Sequence, residues 1–288
     1  ANLILDDDGV CSACILQEEF DELTPEFWKI KENKFRELAE WAKQKSTSNY
    51  DCIIPVSGGK DSYYQVHQAI KYGLKPLLVT YHGNNYLDVG QRNLDRMRHV
   101  FNADHMVMGP SETTLIELNK LGFDMMGDMN WHAHAGIKII APKSSIQFKV
   151  PLFIYGEVSW DISGMFSIND YSEFNKRTVL EHDMRGYTIS DFDKKEGLKV
   201  DAIRWYQLPS DEQFLNHKLK GIYLGNFIKW DPYKQTEMMK KIYNWQESNE
   251  SFERTYRKVS NLDDMHENGI HDYMKFVKFG YGRATDHV

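Results

Sequence analysis

Short runs of apolar residues alternate along the chain with longer stretches in which apolar residues recur every three or four positions. The runs that predict strands are 53–56, 76–81, 105–108, 150–155 and 221–225. The stretches that predict helices are 61–72, 88–101, 112–121 and 234–245. Strands that alternate with helices of this length predict an α/β fold, a doubly wound parallel sheet.

The sequence before the first strand predicts an irregular acidic lead-in over residues 1–24 and then a helix. Thr24, Pro25 and Glu26 form a helix start, with threonine as N-cap and proline at the first helical position. Further on, Gly122 is predicted to end the helix that begins at 112.

The first strand leads directly into six residues that suit phosphate binding: Ser57, Gly58, Gly59, Lys60, Asp61 and Ser62. The two glycines allow a sharp turn and a close approach of backbone N–H groups to an anion. The helix that follows adds its positive N-terminal dipole, and Lys60 adds a cation. The spacing matches neither the GxxxxGK[ST] loop nor the GxGxxG turn.

Other candidates follow from position, because ligands of such sheets lie beyond the carboxyl ends of the strands. Thr80 stands near the end of the second strand, and 81–86 follows it. Gly156 and Glu157 follow the strand at 150–155, where a carboxylate can bind magnesium, bond to a ligand or act as a base. His132 and His134 are two positions apart and cannot chelate one metal on a helix, so packing or substrate contact is favoured.

Composition narrows the class of partner. The chain has 288 residues, a net charge of −7 and a pI near 5.9, which disfavours nucleic acid as a partner held by phosphate neutralisation. Its longest apolar runs are too short to span a membrane. Three cysteines do not make a disulfide framework, so a cytoplasmic location is expected.

Cys11 and Cys14 form a Cys-x-x-Cys pair in the lead-in. Two thiolates from one tight turn can occupy two corners of a tetrahedral zinc site. A zinc site completed by other ligands, a redox pair and two ordinary thiols all remain open.

Four segments are predicted: the lead-in 1–24, a domain 25–158 that carries the six-residue phosphate-binding loop, an insertion or substrate loop 159–220, and 221–288, which completes the sheet and carries a helical substrate region. In the last of these Asp272, Lys275 and Lys278 would share one helical face. Gly280 and Gly282 would turn the chain and leave Arg283 and Asp286 in a loop, where cations and acids can bind a substrate or move protons.

The six-residue loop resembles that of the PP-loop ATP pyrophosphatase superfamily, whose members cleave ATP between its α and β phosphates. Further segments resemble one family in it, the N-acetyl sugar amidotransferases of bacterial surface-polysaccharide synthesis. These segments are 9–14, 150–157, 225–230, 271–273 and 280–286. Family members carry a second Cys-x-x-Cys upstream, which completes a four-cysteine zinc site, and continue beyond 283–286. The sequence is therefore expected to be a piece of a longer protein.

The resemblance implies an ATP-dependent, AMP-forming carbon–nitrogen ligase that converts an acetamido group of a nucleotide-activated sugar into an acetamidino group. Its ammonia would come from a separate glutaminase partner, and its cofactors would be ATP, Mg²⁺ and a zinc ion. The loop residues would hold ATP, with Thr80 as a further contact. Lys60, Asp61, Glu157, Asp272 and Lys275 would be catalytic. Gly156, Glu157, Lys278, Arg283 and Asp286 would bind the substrate, and Cys11 and Cys14 the zinc.

Two other functions share part of this pattern. An adenylating tRNA sulfurtransferase has the same loop and often a Cys-x-x-Cys zinc element, but the acidic charge disfavours it. A nucleotide-binding regulatory module without chemistry is the third hypothesis.

Overall fold

The computed structural model describes residues 5–156, 173–193, 198, 203–251, 258–265 and 272–279. The strands are β1 (Cys52–Pro55), β2 (Pro76–Tyr81), β3 (His105–Met108), β4 (Leu152–Tyr155) and β5 (Lys220–Tyr223). They form one parallel sheet in the order β3-β2-β1-β4-β5. The chain builds the sheet outward from β1 to β3 and then returns to the other side of β1, so the strand order reverses between β1 and β4.

The helices of the described residues lie before, between and after these strands. They are α1 (Ser12–Asp21), α2 (Pro25–Lys45), α3 (Lys60–Lys71), α4 (Asp88–Val100), α5 (Glu112–Met126), α6 (Trp131–Phe148), α7 (Lys176–Thr178), α8 (Ile189–Asp193), α9 (Asp211–Asn216), α10 (Pro232–Tyr243) and α11 (Asp272–Phe279). A π-helical turn, Val179–Asp183, follows α7, and 3₁₀ turns lie at Arg204–Tyr206 and Leu224–Asn226. None of the described helices is long and apolar enough to cross a membrane.

The sheet carries a separate apolar core on each face, which confirms the predicted doubly wound α/β class. On one face α3 packs with α2, α4 and α10 around Phe35, Val66 and Met97. On the other face α6 packs with the described part of the 159–220 segment around Trp131 and Ile139. All four residues of β1 are buried, as expected for a central strand covered on both sides.

Several element boundaries match the sequence-based expectation and two do not. Thr24 caps α2 through its hydroxyl and Pro25 is the first helical residue, as predicted. The lead-in is not irregular, because residues 12–21 form α1 with Cys11 as N-cap. Helix α5 passes through Gly122 and ends at Gly127, which has the left-handed φ of +62°. Gly122 instead allows close packing, since a Cβ there would lie 2.6 Å from the Asp128 carbonyl oxygen.

The segment 258–265 lies across the start of α4 and is held there by backbone contacts. Leu87 N–H donates to the Leu262 carbonyl at 3.1 Å, and Met265 N–H donates to the Asn85 carbonyl at 2.9 Å. The Leu262 side chain is buried. Gly90 makes the approach possible, because a Cβ at this position would lie 1.9 Å from the Leu262 carbonyl oxygen.

We expect Gly90→Ala to displace this segment and to lower the free energy of unfolding by about 1–3 kcal/mol, since overpacking against backbone forces the contact apart. Urea denaturation measures the loss. Gly109→Ala is the control, because its Cβ would come no closer than 3.4 Å to another atom. Equal stability of the two variants would contradict the described docking of the segment.

Candidate active site

The six-residue loop joins the central strand β1 to α3 at the carboxyl edge of the sheet. Gly58 adopts a left-handed φ of +80°, and Ser62 Oγ accepts from the Ser57 N–H at 2.9 Å, which closes the turn. Helix α3 begins after Gly59 without a side-chain cap, so no capping side chain occupies its first N–H groups. The loop therefore presents backbone donors and a helix N-terminus to the same space, an arrangement that suits an anion.

The surrounding structure holds this turn tightly. A Cβ on Gly58 would lie 2.7 Å from the Leu94 backbone nitrogen, so α4 packs directly on the loop. The Trp245 indole N–H donates to the Gly58 carbonyl at 3.0 Å from beyond α10. Only glycine satisfies both the dihedral and the contact at position 58.

The charged pair of the loop leaves one oxygen available. Lys60 Nζ contacts Asp61 Oδ2 at 2.5 Å, and both side chains are partly buried. Asp61 Oδ1 is buried and has no hydrogen-bond partner among the described residues. A carboxylate oxygen in this state suits a hard divalent cation such as Mg²⁺.

A cavity of about 220 Å³ opens where β1, β2 and β4 end, at the reversal of strand order. The loop, β2, β4, β5, α6 and the segment 258–265 all contribute to its walls. The polar lining residues are Ser57, Asp61, Ser62, Gln65, Asn84, Lys138 and Asp263, and the aromatic ones are Tyr81, Tyr86, Tyr155 and Tyr223. Gly156 also lines the cavity, as the sequence predicts for a residue directly after β4.

Sequence reasoning missed Lys138 and Asp263 as site residues. Lys138 lies in the middle of α6, and Asp263 is brought to the loop by the docking of 258–265. Burial and the neighbouring Asp264 carboxylate raise the pKa of Asp263, and a hydrogen bond from Ser57 acts in the opposite direction. In the sequence Asp263 is one of two adjacent acids, and its place beside the loop depends on tertiary packing.

Tyr81, the last residue of β2, forms part of the cavity wall and is held in place by a cluster of buried, hydrogen-bonded side chains. Its hydroxyl bonds to His132 Nδ1 at 2.9 Å and to the Tyr206 hydroxyl at 2.7 Å, and the Trp205 ring stacks on its ring. His132 is 3% exposed and burial lowers its pKa to about 4, so it is a neutral packing residue. The segment 203–206, part of the predicted insertion, thereby reaches the carboxyl edge of the sheet beside the cavity.

Three other predicted residues lie elsewhere in the described structure. The Thr80 hydroxyl donates to the Val56 carbonyl at 2.6 Å beneath the loop, and Thr80 does not line the cavity. Cys11 and Cys14 lie with their sulfurs 3.3 Å apart, and the hydrogen bond and charge of Cys11 raise the pKa of Cys14. No cluster of three metal-ligating side chains occurs among the residues described.

The remaining candidates fall partly or wholly outside the described residues. Glu157, Arg283 and Asp286 lie outside them. Asp272, Lys275 and Lys278 belong to α11, which confirms a helix there, but their side chains are not among those described.

Several solved structures are similar to this chain, all three of those named below at low sequence identity. No protein-family model matches the sequence, and no curated protein matches it. The NH3-dependent NAD synthetase of Campylobacter jejuni shares 14% identity over 75% of this chain and 93% of its own, with a TM-score of 0.36. The NMN synthetase of Francisella tularensis shares 12% identity over 75% and 93%, with a TM-score of 0.38. The PAPS reductase of Candida auris shares 8% identity over 84% and 89%, with a TM-score of 0.34. These low values carry no activity over to this chain.

We expect His132 to make the protein sensitive to acid. Its folded pKa of about 4 lies below the ordinary value of 6.5, so below pH 6.5 the unfolded chain binds a proton that the folded protein does not. Stability must then fall as the pH drops from 6.5 towards 4, by about 2 kcal/mol between pH 7 and pH 5.

The variant His132→Gln tests this expectation, because the amide can still bond to Tyr81 but does not titrate. Urea denaturation at pH 7 and pH 5 should show a smaller loss of stability in the variant than in the wild type. Parallel losses in the two proteins would show that His132 is not the titrating group.

Proposed function

We propose that this chain is an ATP-dependent enzyme that cleaves ATP between the α and β phosphates and transfers AMP to an acceptor. The observation that carries this proposal is the loop Ser57–Ser62. It presents a glycine turn, an uncapped helix N-terminus and a lysine at the carboxyl end of the central strand, and its Ser57, Asp61 and Ser62 line a cavity. Backbone donors fixed in advance in this way stabilise the negative charge that develops on a leaving pyrophosphate.

ATP and Mg²⁺ fit the described residues. The N–H groups of the loop would hold the β and γ phosphates, and Asp61 Oδ1 would hold the cation. A bound Mg²⁺ acts as a Lewis acid that neutralises phosphate charge. Glu157, directly after Gly156 on the cavity wall, is proposed as a second carboxylate for the metal or the substrate.

For the acceptor we propose the acetamido group of a nucleotide-activated sugar, on the basis of the family resemblance. The amide oxygen attacks the α phosphorus, the bond to the bridging oxygen breaks, and pyrophosphate leaves with the electron pair. Ammonia then adds to the activated carbon, AMP departs with the former amide oxygen, and loss of a proton leaves the acetamidino group. A glutaminase partner would supply the ammonia, in the cytoplasm, for surface-polysaccharide synthesis.

The C-terminal residues and the cysteines complete the proposal. Asp272 and Lys275 would act in catalysis, and Lys278, Arg283 and Asp286 would bind the nucleotide sugar. Cys11 and Cys14, with their sulfurs 3.3 Å apart, would supply two of the four ligands that a structural zinc takes, so a zinc site here would need two further ligands.

A substrate panel tests the reaction directly. The protein is mixed with ATP, Mg²⁺, ammonium chloride and a set of UDP- and CMP-linked N-acetyl sugars, and the products are weighed by mass spectrometry. A product lighter by about one mass unit, the exchange of oxygen for NH, supports the proposal. Salt-sensitive binding of tRNA together with an inactive panel would favour the sulfurtransferase instead.

We expect Lys60→Ala to weaken pyrophosphate binding and to lower ATP-dependent turnover roughly 100-fold or more, because it removes a cation next to the leaving group. Calorimetry with inorganic pyrophosphate and a turnover assay measure the two effects. Lys71→Ala, an exposed position at the other end of α3, is the matched control and should behave as wild type. Near-normal pyrophosphate binding by Lys60→Ala would contradict the assignment of the loop.

A further inference from the structure

Lys138 is the one cation among the residues described as lining the cavity, where the other charged groups are Asp61 and Asp263. The Lys60 ammonium is engaged with Asp61 and is not part of this lining. A cavity that receives a polyphosphate while two of its three charged wall residues are acids needs positive charge. Lys60 acts from the loop, beside Asp61. Among the described residues that line the cavity, Lys138 is the side chain that supplies positive charge.

The surroundings of Lys138 do not fit a lysine kept only for packing. Its side chain is 14% exposed, in a helix whose neighbouring residues belong to the apolar core. Burying an isolated ammonium in such a place costs on the order of several kcal/mol of desolvation free energy. The contacts that Lys138 makes must offset a penalty of that size. Burial acts to lower the pKa of Lys138, but Tyr223 and Asp183 outweigh this effect and raise it, so the group is charged.

The partners of the ammonium leave room for a closer anion. Asp183 Oδ1 lies at 3.5 Å and the Tyr223 hydroxyl at 3.4 Å. Both distances exceed the range of about 2.7–2.9 Å that is usual for a charge-assisted hydrogen bond. An ammonium has three N–H donors, and these two contacts leave at least one for another acceptor.

An aromatic cage fixes the position of the charge. Lys138 Nζ lies 4.6 Å from the Tyr155 ring centre and 4.9 Å from the Tyr223 ring centre, which are cation–π contacts. The Tyr155 hydroxyl donates to the Ile137 and Lys138 carbonyls, which ties β4 to α6. The ammonium is therefore held in place before any ligand binds.

The location of the cage indicates which phosphate it meets. The loop and α3 belong to one face of the sheet, and α6 belongs to the other, so the cavity lies between the loop and Lys138. The loop donors suit the leaving pyrophosphate. With pyrophosphate on the loop, the opposite wall would face the phosphoryl group that stays with the acceptor.

We propose that Lys138 binds the α-phosphoryl group of ATP and of the adenylated acceptor, and that Tyr155, Tyr223 and Asp183 hold it there. This inference rests on the proposed function for its choice of nucleotide. It assigns Lys138 no proton transfer, because the ammonium only balances charge while the oxygen bridging the α and β phosphates leaves with pyrophosphate.

Calorimetry with AMP and with inorganic pyrophosphate tests the inference on the full chain. Lys138→Met should weaken AMP binding about 10-fold or more and leave pyrophosphate binding within about twofold, because it removes a charge-assisted bond on the α-phosphate side. Lys143→Met is the matched control. Lys143 lies on the same helix but donates to the Trp205 carbonyl, outside the cavity lining, and its variant should bind AMP as wild type does.

If Lys138→Met does not fold, the double variant Lys138→Met/Asp183→Asn takes its place with the same expected result, since it leaves no unpaired buried carboxylate. AMP binding equal to wild type in a folded Lys138 variant would overturn the inference and leave the proposed function intact. A wild-type protein that binds neither AMP nor pyrophosphate would overturn both.

Discussion

The site depends on one steric constraint at Gly58, where the chain leaves the central strand. The residue takes a left-handed φ while the backbone of α4 packs where a Cβ would stand. Because β1 is buried on both faces, the turn cannot shift without disturbing both cores. The position of the first N–H groups of α3 is therefore set by the packing of the whole sheet.

The electrostatics of the cavity follow from which elements meet at this edge. The loop brings Asp61, the segment 258–265 brings Asp263, and α6 brings Lys138. Asp61 and Asp263 place two carboxylates on the loop side, and burial raises the pKa of Asp263, with smaller contributions from the Asp264 and Asp61 carboxylates. The proposed ligands would complement these charges, since a divalent cation would reduce the repulsion between the carboxylates and Lys138 would offset part of the charge of a phosphate.

The sequence predicted those parts of the structure that are determined by residues a few positions apart in the chain. The strand at 76–81 and the start of α2 at Pro25 match because apolar runs, proline and capping residues act over a few positions. Gly122 was misread because its reason is a contact with Asp128, which no local pattern carries. Lys138 and Asp263 were missed for the same reason, since only the packing of α6 and of 258–265 brings them to the loop.

If the loop Ser57–Ser62 directs cleavage between the α and β phosphates, ³¹P NMR can follow that cleavage while ATP is consumed with Mg²⁺, ammonium chloride and a nucleotide-linked N-acetyl sugar. We expect AMP and pyrophosphate to form in equal amounts, and neither to form when the sugar is omitted. Formation of ADP and inorganic phosphate in their place would contradict it.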